Sequence, residues 1–178
     1  TVCALYDGEV TKANIEEALV QLEEAHDTAK VGRLYIMFAG HGMPDPKSKG
    51  GKSLFCCHDF DPAKAYRTAY PLTELKTKLE RIGIKHVCLH LDCCHAGGIF
   101  LDSRARQADF TVERMATKPS VCAITAVTAD EEAIECGGNG RFTKTLCDQL
   151  GKGYAFDAFD KTYVTISEVF NLTFETVM

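Results

Sequence analysis

A histidine and a pair of cysteines stand where apolar runs break off. Phe38-Ala39-Gly40-His41-Gly42 closes a run that begins at Leu34, and Asp92-Cys93-Cys94-His95-Ala96-Gly97-Gly98 closes another that begins at His86. A thiol attacks a carbonyl carbon as thiolate, and an imidazole within reach either takes its proton or supplies the positive field that favours ionisation. Glycines on both sides of His41 let the backbone approach a ligand and leave the imidazole accessible at a strand end. Residues of these types in this setting point to nucleophilic catalysis by a thiol, with no metal in the chemistry.

For the two segments to meet, the elements that carry them must be neighbours. Leu34–Ala39 and His86–Leu91 are continuous apolar runs, as central strands of a parallel sheet are. Between them Leu72, Leu75, Leu79 and Ile82 recur at helical spacing, so strand, helix and strand follow as a βαβ crossover. Thr11 caps a helix whose apolar face is Ile15, Ala18, Leu19 and Leu22. Val2–Tyr6 and Val121–Val127 read as further strands, Phe142–Leu150 as a helix, and Thr165-x-x-Glu168 as the capping box of a terminal helix. The expected fold is an α/β three-layer sandwich around a mostly parallel sheet. Ligands bind such sheets beyond the carboxyl ends of the strands, where both segments lie. Met43–Lys52 and Gly97–Pro119 read as loops. If Leu91 and Cys93 face the core, strand alternation sends Asp92 and Cys94 to the other side.

A chain of 178 residues is expected to form one domain. Its net charge is −5, and its Lys and Arg residues are dispersed without a basic stripe, which argues against nucleic acid as a partner. No apolar stretch approaches the ~18 to 20 residues of a membrane span. Nine cysteines, an odd number with several inside apolar runs, read as reduced thiols of a cytoplasmic protein. Cys56-Cys57-His58 repeats the tripeptide Cys93-Cys94-His95, but adjacent cysteines rarely chelate one ion, so the pair does not read as a zinc site.

Asp92-x-Cys94-His95-Ala96-Gly97 resembles the Asp-x-Cys-His-Ser-Gly motif of metacaspases and bacterial caspase homologues. His41 lies 53 positions before Cys94, close to the roughly 50 that separate the two residues in caspases. Gly137-Gly138-Asn139-Gly140-Arg141-Phe142-Thr143, leading into a helix, follows in the family's order. The resemblance runs over nearly the whole chain. It implies a caspase-like sandwich over residues 1–178, with a large-subunit-like part to about 103, a linker over 104–119 and a small-subunit-like part over 120–178.

The activity that the resemblance implies is that of a cysteine endopeptidase acting through an acyl-enzyme. Cys94 is its nucleophile, His41 its base, and the N–H groups of Gly42 and Cys94 its oxyanion hole. Caspases carry glutamine at the place of Asp92 and select aspartate, whereas aspartate there implies cleavage after Arg or Lys. A carboxylate on a pocket floor needs a cation to offset its desolvation. Thr128-Ala129-Asp130-Glu131-Glu132 could add acidic charge at the rim, and His95 is expected to be structural. No cofactor is implied for the chemistry; calcium activation would rest on Asp59, Asp61 and Asp102, a sparse set for an ion that takes six or more oxygens. The expected partner is a peptide or protein substrate. Elements that precede Val2–Tyr6 in the family are missing, which implies a fragment or a processed form, with a missing N-terminal segment or a partner chain supplying them. The arginine-bearing loop, at Arg104 and Arg106 above all, is expected to be cut by the enzyme itself. A caspase-fold peptidase with another P1 preference, an inactive caspase-like scaffold and an unrelated cysteine acyltransferase or hydrolase stay in competition. The presence of both His41 and Cys94 argues against the scaffold.

Overall fold

Thr11 opens the first regular element, its side chain accepting a hydrogen bond from the Asn14 N–H at 3.2 Å. The computed structural model describes residues 2–47, 52–95, 120–126, 135–136, 139–151, 165, 168–169 and 171–173. In chain order these form α1 (Lys12–Ala29), β1 (Arg33–Ala39), β2 (Gly42–Pro44), β3 (Ser53–Cys56), the single turn α2 (Ala65–Thr68), β4 (Ala69–Pro71), α3 (Leu72–Ile82), β5 (His86–Asp92), β6 (Ser120–Thr125), β7 (Glu135–Cys136), β8 (Asn139–Gly140) and α4 (Arg141–Gly151). The chain divides into two compact units, Thr1–Glu131 and Glu132–Met178.

The first unit is built on a parallel sheet in the order β1-β5-β6. Val87, Leu89 and Leu91 on β5 point to one face, where they join Leu34, Ile36 and Phe38 of β1, Leu19 of α1 and Leu72, Leu75 and Leu79 of α3 in the main core. Both helices present the apolar stripe that their spacing requires. Gly83 in the left-handed region ends α3, as glycine does without strain. Lys12–Glu74 at 3.5 Å, Arg81–Glu23 at 3.0 Å and the pair Lys78–Glu16 tie the exposed sides of α1 and α3 together. On the opposite face of the sheet Tyr35 and Met37 are half exposed. The architecture is thus α/β with a mostly parallel sheet.

Two expectations change. The segment 2–6 forms no strand: it has no ladder partner, and Val2 and Tyr6 are exposed. The supposed loop after His41 opens with β2, which pairs antiparallel with β3; β3 in turn pairs with β4 in a second, three-stranded sheet. Proline and glycine hid β2 from sequence patterning, because an edge strand of three residues needs little β-propensity once a partner is in place.

In the second unit the short antiparallel pair β7 and β8 leads directly into α4, on which Phe142 and Leu146 are buried. Glu168 and Thr165 form the expected capping box: the Thr165 N–H donates to Glu168 Oε2 at 2.9 Å, and the Glu168 N–H donates to Thr165 Oγ1 at 3.3 Å.

Candidate active site

Parallel pairing of β1 with β5 sets Ala39 opposite Asp92, so the chain leaves both strands at the same edge. The Gly40 N–H continues the ladder by donating to the Asp92 carbonyl at 3.1 Å. From there the His41 segment turns into β2, and the Cys93-Cys94-His95 segment runs against it. A side-chain carbon built on Gly42 would lie 2.2 Å from the Cys94 carbonyl oxygen and 3.3 Å from Cys93 Sγ. Only glycine allows the two segments to touch in this way.

The cysteine segment is held from a second side. Ser53, buried at the start of β3, donates its hydroxyl to the His95 carbonyl at 2.5 Å. His95 itself has φ +59°, a left-handed turn that carries the chain away from the strand direction. The loop at the end of β5 is therefore clamped between β2 and β3, and Ser53 is a positioning residue that the sequence pattern did not single out.

Backbone geometry also sets the direction of the Gly42 N–H. The Cys56 N–H donates to the His41 carbonyl at 2.9 Å, and Gly42 faces Phe55 in the register. Hydrogen-bonded and non-hydrogen-bonded pairs alternate along an antiparallel ladder, so the Gly42 N–H is directed away from β3.

The two adjacent cysteines have different surroundings. Cys93 is fully buried with Val87, Leu89 and Leu91 in the core, and Cys94 is half-buried. Burial pushes the Cys93 thiol up to about 12, with Cys94, Asp92 and Cys56 adding their repulsion. Such a thiol stays protonated at neutral pH and does not attack. Asp92 sits at the carboxyl end of β5, only 4% exposed. Two residues back, His90 is wholly buried, and its Nδ1 shares a hydrogen bond of 3.0 Å with the Tyr35 hydroxyl. Burial lowers the His90 pKa, and the Asp92 carboxylate opposes that shift.

Beside the exposed His41 opens a groove of about 580 Å³. Phe38, His41, Cys56, His58 and Phe60 line it, with Asp7 at its side. Neither Cys94 nor Asp92 is among its lining residues. The Cys56-Cys57-His58 tripeptide, set aside as a zinc site, thus belongs to the surroundings of His41. Cys56 stands opposite His41 on the ladder, and cross-strand partners share a face; no spacing rule could have shown this, because it depends on the register of β2 with β3. Burial raises the Cys56 thiol pKa, and nearby Cys94 raises it further. Burial and Asp59 raise that of Cys57 to about 11.

Of the calcium candidates, Asp61 caps a short turn by accepting from the Ala63 N–H at 2.9 Å and pairs with Lys64 at 3.5 Å. Asp59 lies near Cys57, and no cluster of three or more metal-ligating side chains occurs among the described residues. Asp102, Arg104, Arg106 and the whole 104–119 linker lie outside the described residues, as does the acidic stretch 128–132. No helix among the described residues is long and apolar enough to cross a membrane. No family model matches the chain, and a search of curated proteins finds no match.

Proposed function

We propose that this protein is a cysteine endopeptidase of caspase-like fold that cleaves after Arg or Lys. The observation that carries the reading is the packing of Gly42 on the Cys94 carbonyl, which sets the histidine segment directly against the cysteine segment at one edge of the sheet. Cys94 is the nucleophile. Burial raises the pKa of its neighbour Cys93 and of the nearby Cys56 and Cys57.

In the first half-reaction the Cys94 thiolate attacks the scissile carbonyl carbon, and the N–H groups of Gly42 and Cys94 receive the oxyanion. The C–N bond then breaks as His41 gives its proton to the leaving amine, and a thioester remains. Water attacks the thioester, His41 takes the proton, and the thiolate leaves. No metal takes part in these steps. The open groove at His41 suits an extended peptide that continues on either side of the cleaved bond. Asp92, buried at the strand end, supplies the carboxylate for a P1 cation, and two hydrogen bonds make arginine the better partner. Arg104 and Arg106 are the sites of self-processing, and calcium, if it acts, does so outside the chemistry.

One observation favours a second reading. Cys56 faces His41 in the groove, whereas Cys94 does not line it, so a Cys56–His41 pair is the competing dyad. A chloromethyl ketone of a peptidyl-arginine, followed by mapping of the modified residue, separates the two. Stoichiometric alkylation of Cys94 with loss of activity is expected. Alkylation of Cys56 instead establishes the second reading, and a chain that turns over no peptide and reacts at neither residue refutes both.

A further inference from the structure

Cys88 on β5 and Cys122 on β6 occupy directly opposed positions in the parallel register. Alternation along β5 sends Cys88 away from the face of Leu89 and Leu91, and its register partner Cys122 points to the same side. That is the face on which Tyr35 and Met37 are half exposed. Both thiols are free and half-buried. Neighbouring strands run about 4.8 Å apart, inside the ~4.4 to 6.8 Å between Cα atoms that a disulfide spans. Their register thus meets the Cα condition for a disulfide, and a small approach of the two side chains closes the bond.

The two thiols are unequal partners. Cys88 donates a hydrogen bond to the Cys122 sulfur, which lowers the Cys122 pKa to about 7 against the cost of its burial. The same hydrogen bond, with burial added, pushes Cys88 above the ordinary thiol range. The two sulfurs thus share one proton, and the pair gives up its first proton more readily than two isolated buried thiols would.

We propose that Cys88 and Cys122 are a dithiol modification site that a hydroperoxide closes to a disulfide across β5 and β6. The Cys122 thiolate attacks the terminal oxygen of the hydroperoxide; the O–O bond breaks, hydroxide leaves from hydrogen peroxide or alkoxide from an organic hydroperoxide, and Cys122 becomes a sulfenic acid. The Cys88 sulfur then attacks the Cys122 sulfur, the S–O bond breaks, and the Cys88 proton departs with that oxygen as water. Two thiols are oxidised by two electrons in all, and the hydroperoxide is reduced by the same two. The site does not depend on the peptidase reading, because Cys88 lies four residues before the end of its strand, about 13 Å of extended chain from the loop of Cys94.

The sequence allows a clean test. Cleavage before aspartates releases 61–91, in which Cys88 is the sole cysteine, and 109–129, in which Cys122 is the sole cysteine. The unaltered chain is treated with one equivalent of hydrogen peroxide, alkylated, digested and weighed. The expected product is the 61–91 and 109–129 peptides joined with loss of two hydrogens, separated again by dithiothreitol, and formed equally in the Cys94→Ala chain. Recovery of both peptides alkylated while other cysteines are oxidised overturns the proposal. So does a sulfinic acid at Cys122 with Cys88 still alkylated. Iodoacetamide labelling of Cys122 should show a midpoint near pH 7 that rises in Cys88→Ala; an unchanged midpoint removes the pairing on which the chemistry rests. Should Cys88→Ala fail to fold, the crosslink in the unaltered chain decides alone.

Discussion

Replacing Gly42 by alanine tests the contact that joins the two halves of the site. The added methyl would lie 2.2 Å from the Cys94 carbonyl oxygen, and ordinary contact begins near 3.4 Å, so about 1.2 Å has to be found. The obstacle is backbone on a loop held from its other side by the Ser53 hydroxyl, not the end of a flexible side chain. Overpacking of this kind costs ~1 to 3 kcal/mol, which for a chain of this length lowers Tm by roughly 2 to 12 °C at about 2 to 4 °C per kcal/mol. Displacement of a reacting group by about 1 Å costs on the order of 100-fold in rate. Gly32→Ala is the control, because nothing lies within 4 Å of its methyl position; its stability should stay within about 0.5 kcal/mol of the parent. Calorimetry and kcat/KM on a peptidyl-arginine substrate, measured on both variants, separate the outcomes. If Gly42→Ala melts with Gly32→Ala and keeps the parental kcat/KM, the two segments are not packed together. If it melts early yet turns over normally per folded molecule, the contact is structural and does not position the chemistry.

Cys94→Ala and His41→Ala should each abolish peptide turnover, and the double variant should lose no more, since residues that act as a unit give non-additive losses. Cys93→Ala should keep much of the activity while losing stability; equal loss of turnover in the two cysteine variants would overturn the assignment. Asp92→Asn should depress kcat/KM for arginine substrates by about 30-fold or more, from the ~2 to 5 kcal/mol of breaking a buried charge pair, without creating cleavage after Asp; a peptide library cut after Asp by the parent enzyme contradicts this. The lowered pKa of buried His90 means that the unfolded chain binds the proton first as pH falls, so its contribution to stability is complete above the unfolded value of ~6.5 and is lost below it. Tm should therefore drop between pH 7 and pH 5, above the range in which Glu16 titrates, and His90→Gln should flatten that slope; a parental Tm independent of pH in this window refutes the argument.

Elements whose evidence is local were legible in the amino-acid sequence alone. The apolar runs at β1, β5 and β6, the helical spacing of Leu72, Leu75 and Leu79, the Thr11 cap and the Thr165–Glu168 box all lie within a few residues of one another, where period and capping chemistry act. The same locality placed His41 and Cys94 at strand ends, and the alternation Leu89, Leu91, Cys93 anticipated which cysteine would be buried. Tertiary structure decided the rest, because it turns on pairings between segments far apart in the chain. Which face of β5 is the core depends on α1 and α3 covering it; that choice buried Cys93 and placed Cys88 on the opposite side. β2 exists because β3 offers it a ladder, which in turn brought Cys56 opposite His41. That Gly42 must be glycine is visible only once the Cys94 carbonyl lies against it. The opposition of Cys88 to Cys122 is likewise set by strand register across an interval of more than thirty residues, and no periodicity in a single chain extends that far.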